Sequence, residues 1–213
     1  MSVSSRFVVH FAVLLAMLVG FSSGARADLL EDLSARVAQY PVVRAEFTQT
    51  KQMAAMKRPL VTRGRLTFSR SQGVLWQIEQ PFRMIYVLGE TRIVEIGNDG
   101  ARKVRETRDV PGLAQVGRVF HAMLGANPAA LREHFDVTGQ GDADRWSLEL
   151  KPRQAQLAQF LNGLQLSGGR FVEDIRIGEA GGDSTQIRFA NSQGAETLNE
   201  AEIQLFGGDG VRK

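Results

Sequence analysis

From residue 43 onward the chain alternates apolar and polar side chains in runs too short for helices. Val43, Ala45 and Phe47 alternate with Arg44, Glu46 and Thr48, and Leu66 and Phe68 alternate with Arg65, Thr67 and Ser69. Val74, Trp76 and Ile78 then alternate with Leu75, Gln77 and Glu79 until Pro81 stops the run. A period of two sends successive side chains to opposite faces, so each run predicts a strand with one face in a core. From Phe82 the pattern changes. Phe82, Met84, Tyr86 and Leu88 share one face, Ile85 and Val87 lie on the other, and Ile93 to Ile96 is apolar on both. Strands apolar on two sides belong where something covers each face of the sheet. Asn98-Asp99-Gly100 predicts a hairpin turn, because Gly accepts the positive φ such a turn needs. Short strands joined by tight turns indicate an antiparallel sheet rather than alternating βαβ units.

Helical spacing occurs at the start and in the middle. Leu29, Leu30, Leu33, Val37 and Tyr40 form one stripe, predicting a helix over Asp28 to Tyr40 that Pro41 ends. Asp28, Glu31 and Asp32 crowd its first turn, where the helix dipole favours negative charge. Leu113, Val116, Val119, Phe120, Met123 and Leu124 give a broad apolar face to a helix over Pro111 to Gly125. Asn127-Pro128 opens a second, short helix, with Asn at the cap and Pro at the first position. Strands resume at Phe135 to Thr138 and Trp146 to Leu150, joined by a Gly139-to-Asp144 turn. Residues 154–162 suit a brief helical turn or a strand. Further strands are expected at Gly163 to Leu166, Phe171 to Ile177, Thr185 to Phe189 and Glu202 to Phe206, with a Gly-rich turn at Ala180 to Ser184. No repeat, low-complexity linker or composition shift divides residues 28–213. The expected fold is mainly β with helices (α+β): one domain with a large curved antiparallel sheet of about ten strands.

The first 27 residues read differently. Arg6 precedes an apolar run from Val8 to Phe21, and Ala25-Arg26-Ala27 supplies the small-x-small pattern of a signal-peptidase site. The run is too short for a bilayer, which takes roughly 20 residues, so a cleavable leader is expected, with cleavage before Asp28. Losing Arg6 and Arg26 from 26 Lys and Arg leaves 24 against 23 Asp and Glu, a net charge of +1. That balance gives no support for nucleic-acid binding. Arg102, Lys103, Arg105 and Arg108 are diluted by Glu106 and Asp109. The chain has no cysteine, so disulfides, thiolate metal sites and catalytic thiols are excluded. Export without disulfides points to the bacterial periplasm.

Chemistry-bearing patterns are sparse. His121 and His134 are the only histidines after the leader, and neither has a nucleophile elbow or other partner pattern. Two isolated histidines do not make a zinc site. Gly139-Gln140-Gly141-Asp142-Ala143-Asp144 lacks the closing Glu of a calcium loop and reads as a hairpin. No catalytic residue, metal or cofactor is expected. The apolar abundance of Phe120, Met123 and Leu124 fits two readings, a helix that simply caps the sheet or the underside of a movable lid.

Several segments, in order, resemble the periplasmic outer-membrane lipoprotein carriers (LolA-like). Phe47-Thr48-Gln49 resembles that family's F-x-Q strand. Gly64-Arg65-Leu66, then Trp76 and Pro81, resemble its G-x-L block and W-x4-P. Gly182 to Asn191 resembles its closing strands. Ser71, where the family usually has Pro, and the short tail after Phe206 suggest a divergent branch.

The resemblance implies a half-open β-barrel with a helical lid over an apolar cavity. Candidate cavity-wall residues are Phe47, Leu66, Phe68, Val74, Trp76, Met84 and Tyr86. Candidate lid residues are Leu113, Val116, Phe120 and Met123. The arginine that helps hold the lid closed in the family matches Arg70. The implied task is a non-enzymatic, monomeric periplasmic carrier of an acylated lipoprotein or other amphiphilic lipid. An inner-membrane transporter or exporter would be the donor and an outer-membrane component the acceptor. The alternative is a lipid- or lipoprotein-binding sensor, or an exporter accessory module, that does not transfer cargo.

Overall fold

The computed structural model describes residues 25–106 and 128–207. Helix α1 (Ala25–Val37) is followed by six strands: β1 (Val42–Gln52), β2 (Leu60–Ser69), β3 (Gly73–Gln80), β4 (Met84–Leu88), β5 (Arg92–Ile96) and β6 (Arg102–Glu106). Helix α2 (Pro128–His134) leads into β7 (Phe135–Gly141) and β8 (Trp146–Pro152). Then come α3 (Ala155–Ala158), β9 (Leu161–Gly168), β10 (Val172–Glu179), β11 (Ser184–Ala195) and α4 (Glu200–Phe206). The expected helix over Pro111 to Gly125 lies outside the described residues.

All eleven strands form one sheet in the order β6-β5-β4-β3-β2-β1-β11-β10-β9-β8-β7. Two antiparallel meanders are joined in the middle by β1 and β11, which pair antiparallel from Val42↔Ala195 to Gln52↔Ser184. The sheet is open: β6 and β7 lie at its two ends and do not pair with each other. Its register follows the alternation. Leu66 pairs with Trp76 and Phe68 with Val74, then Trp76 with Tyr86 and Val74 with Leu88, so these side chains share the concave face. Thr67 pairs with Leu75, Leu75 with Val87, and Val87 with Val94 on the other face.

The concave face holds the main core. Leu29, Leu30 and Leu33 of α1 pack with Phe47, Phe68, Val74 and Trp76 at one side and Trp146, Leu148 and Leu166 at the other. Burying three such leucines contributes on the order of 5 kcal/mol. Helix α1 stops at Val37, three residues before the expected end, and two tight turns follow (Gln39 N–H to Arg36 O, Tyr40 N–H to Val37 O). Tyr40 therefore leaves the helical stripe. Its ring crosses Gly194, where a Cβ would lie 2.0 Å from a ring carbon.

The apolar residues on the other face have a partner too. Leu75, Val87 and Ile96 form a second cluster capped by Leu205 and Phe206 of α4. This segment was expected as a strand, and it is a helix. Asn199 accepts from the Glu202 N–H at 2.9 Å, and the Glu202 carboxylate accepts from the Asn199 N–H at 2.8 Å. That reciprocal capping box starts a helix where alternation alone suggested extended chain. Residues 154–162 resolve into the single turn of α3 and the start of β9. The hairpins at 97–101 and 179–183 fall where expected, with Gly100 and Gly182 at positive φ.

Candidate functional site

The residues expected to line a cavity wall lie on the concave face of β1 to β4, where all but Met84 pack in the core with the leucines of α1. Phe47, Leu66, Phe68, Val74 and Trp76 are buried there in one cluster, and Tyr86 packs against it, half-buried. Met84 is half-buried at the start of β4. Phe47 and Trp76 stack with centroids 3.9 Å apart, and Phe189 meets Trp76 edge-on at 6.5 Å. Gly64 sits beside this stack in the sheet. It lies opposite Phe47 on β2, and β3 bulges beside it so closely that a Cβ would sit 1.8 Å from the Gln77 carbonyl oxygen. The glycine of the G-x-L block is thus required by close backbone approach. Phe189 was not among the expected wall residues. It joins them because β11 pairs with β1 at Phe47↔Phe189, a contact set only by the long-range topology.

Toward β6 the same face turns polar. Glu95 lies opposite Tyr86 and is 3.3 Å from Arg105. Burial, and then the Glu95 carboxylate, raise the Tyr86 hydroxyl above its ordinary pKa.

The other half of the concave face is covered by the chain's own helices. Leu131 of α2 and Leu157 of α3 sit over Phe135, Leu150 and Leu164. Between α1, α2 and β8 to β10 a groove remains, lined by Leu30, Leu33, Leu131, Trp146 and Leu166, with Arg36 and Arg170 among its residues. Its volume is about 40 Å³, well below the roughly 300–1,000 Å³ of small-molecule sites. The apolar cavity that the resemblance implies is therefore not open in this groove.

Arg70 follows β2. Its guanidinium donates to the Ala38 carbonyl at 2.6 Å and the Tyr40 carbonyl at 3.4 Å. Its backbone N–H donates to Pro41 O at 3.0 Å. A cation thus fastens the end of α1, where the helix dipole is negative and carbonyls lack partners. Leu113, Val116, Phe120 and Met123 lie outside the described residues. The Asp142 loop binds its own backbone: the carboxylate accepts from Asp144 N–H and Arg145 N–H, and these bonds lower its pKa. Among the described residues no group of three or more His, Asp or Glu is placed to hold a metal, and no helix is long and apolar enough to cross a membrane.

An open antiparallel sheet whose apolar concave face cradles helices is a half-barrel. The model of the outer membrane lipoprotein carrier protein LolA-like family matches residues 23–197. The chain belongs to that family. It is similar to an outer-membrane lipoprotein carrier protein of Ralstonia nicotianae, with 27% identity over 194 residues covering 84% of this chain and 83% of the relative. Among solved structures it is similar to a LolA superfamily protein from Nitrosomonas europaea (TM-score 0.45, 7% identity, 82% of this chain and 96% of that one). It is also similar to a chain of the Pseudomonas aeruginosa MucA/MucB complex (TM-score 0.45, 14% identity, 82% of this chain and 60% of that one).

Proposed function

We propose that this protein is a periplasmic carrier that shelters the acyl chains of a lipoprotein or other amphiphilic lipid between the inner and outer membranes. In this reading residues 1–27 are a cleaved export leader and residues 28–213 one half-barrel domain. The donor is an inner-membrane transporter or exporter and the acceptor an outer-membrane component. The reading also has no catalytic step.

One observation supports it most. The aromatic wall of Phe47, Trp76 and Phe189 lies on the concave face of a fold whose family is that of lipoprotein carriers. An acyl chain loses about 0.8 kcal/mol per CH₂ when exposed to water, so a long chain is worth on the order of 10 kcal/mol. Wall contacts of that size offset the cost of moving α1 away from its leucine contacts. Arg70 sets how readily α1 moves, because its bonds to Ala38 O and Tyr40 O are lost when the helix end swings out. Cargo that adds apolar contact stabilises the open form, and release to an acceptor lets Arg70 close it again. Transfer runs down an affinity gradient and needs no nucleotide.

The test is transfer of a fluorescent triacylated peptide from donor to acceptor vesicles held apart by a dialysis membrane that passes the protein. Protein-dependent transfer is expected. Binding of the peptide without transfer would instead identify a non-transferring sensor.

A further inference from the structure

Seven large apolar side chains are exposed among the described residues, and five of them share one rim of the sheet: Met56, Leu60, Val61, Phe82 and Phe160. The rim is made by the β1–β2 loop, the β3–β4 turn, the β10–β11 turn and the start of β9. Antiparallel order brings all of these to the same end. Phe82 and Phe160 are 51% and 63% exposed. The β3–β4 turn and β9 are separated by five strand spacings, an arc of about 24 Å at roughly 4.8 Å each. The opposite rim, at 70–72, 89–91, 142–145 and 169–171, has no exposed large apolar side chain among the described residues.

Charge follows the same asymmetry. Residues 53–63 and 81–83 contain Lys57, Arg58, Arg63 and Arg83 and no Asp or Glu. All four cations are exposed, and among the described residues they form no ion pair. The nearest rim acids are already engaged: Glu179 and Asp183 face Lys51, and Glu79 faces Arg65.

Exposed aromatic and aliphatic side chains interleaved with unpaired cations are what an anionic lipid surface binds. The cations lie at the headgroups and the apolar tips enter the acyl boundary. We propose that this rim docks the protein reversibly, edge-on, on a membrane rich in anionic lipid. A protein partner would have to be both acidic and apolar along the same arc. An anionic bilayer presents both properties at once, which favours it as the occupant. Docking does not depend on cargo being carried, so failure of transfer and failure of docking are separable results.

The test is co-sedimentation of the purified protein, in the form the expressing cell delivers, with two kinds of vesicle. One is phosphatidylethanolamine with phosphatidylglycerol, the other phosphatidylcholine alone. Binding to the first and not the second is expected, weakening as salt rises. Each cation near the surface contributes about fivefold to partitioning, so K57E with R58E should lower binding at least about 25-fold. F82S with M56S should lower it at least about tenfold with unchanged melting, since both side chains are exposed. Q72E, on the opposite rim, should leave binding unaltered. Equal binding to both vesicles, or rim variants that bind as the parent does, would overturn the proposal. So would no binding to either vesicle, which would return the rim to a protein partner.

Discussion

Replacing Glu202 with alanine should detach α4 from the outer face of the sheet. Glu202 is 6% exposed and is fully engaged. Arg44 donates Nε and Nη2 to its two oxygens at 2.7 and 2.6 Å, and Thr67 Oγ1 donates at 3.0 Å. The Asn199 N–H donates at 2.8 Å. Removing one partner of a buried ion pair costs about 3–5 kcal/mol. Arg44 is a third exposed and recovers water, which moves the figure to the low end. Losing half of the capping box adds about 1 kcal/mol. The expected loss is about 3–4 kcal/mol, or a fall in Tm of roughly 6–16 °C for a chain of this size. E202Q keeps the shape and the cap, and should lose about half as much.

The pH dependence has a definite sign. Burial pushes the Glu202 carboxyl up, but the bonds from Arg44, the Asn199 N–H and Thr67 outweigh it and hold its pKa below the ordinary 4.5. A depressed folded pKa means stability that is fully present above the unfolded value and lost as pH falls through the folded one. Urea denaturation of the parent, E202A and E202Q between neutral pH and pH 3 measures both quantities, and the difference between the parent and E202Q should shrink in acid. A loss under about 1 kcal/mol for E202A, or an acid dependence identical in E202Q, would refute the assignment of this carboxylate as the anchor of α4.

Three further outcomes concern the packing at Gly64, the Arg70 contact and the lid that the resemblance implies. G64A should destabilise by about 3 kcal/mol or abolish folding, because its methyl meets the Gln77 carbonyl at 1.8 Å; a normal melt would contradict the close approach. R70L should alter the cycle of cargo closure and release more than the melting temperature, since its guanidinium bonds are exposed; unchanged cargo exchange rates would remove Arg70 from gating. F120S tests the lid that the family resemblance implies: weaker uptake of an acylated peptide by fluorescence titration is expected, and unaltered uptake would count against that proposal.

The half-barrel was legible because alternation is local. Val74, Trp76 and Ile78 on β3 needed only a period of two to be placed on one face. The double-faced run does meet a second cover, α4, from Met84 to Ile96, whereas Phe82, expected on the strand face, lies in the β3–β4 turn and is 51% exposed. Glu202 to Phe206 looked like a short strand, while the decisive signal, Asn199 three residues before Glu202, is a capping box visible in the sequence. Phe189 could not be assigned to the wall, because its approach to Phe47 and Trp76 depends on pairing between strands about 140 residues apart. Arg70 stands out in the sequence only through the family resemblance. Its contact with the end of α1 was not readable, since α1 ends at Val37 where the helical stripe ran on to Tyr40. The rim cations were legible as charges, but their alignment with Phe82 and Phe160 required the strand order.

The central claim is that apolar chains occupy the concave face once its inner helices yield. Mass spectrometry of lipids that co-purify with the protein from a periplasmic extract tests it most directly. The account predicts an acylated lipoprotein or amphiphilic lipid near one per protein, and its loss when Trp76 is replaced by a polar residue. Protein recovered folded but free of lipid, and unable to take up a fluorescent acyl peptide, would contradict it.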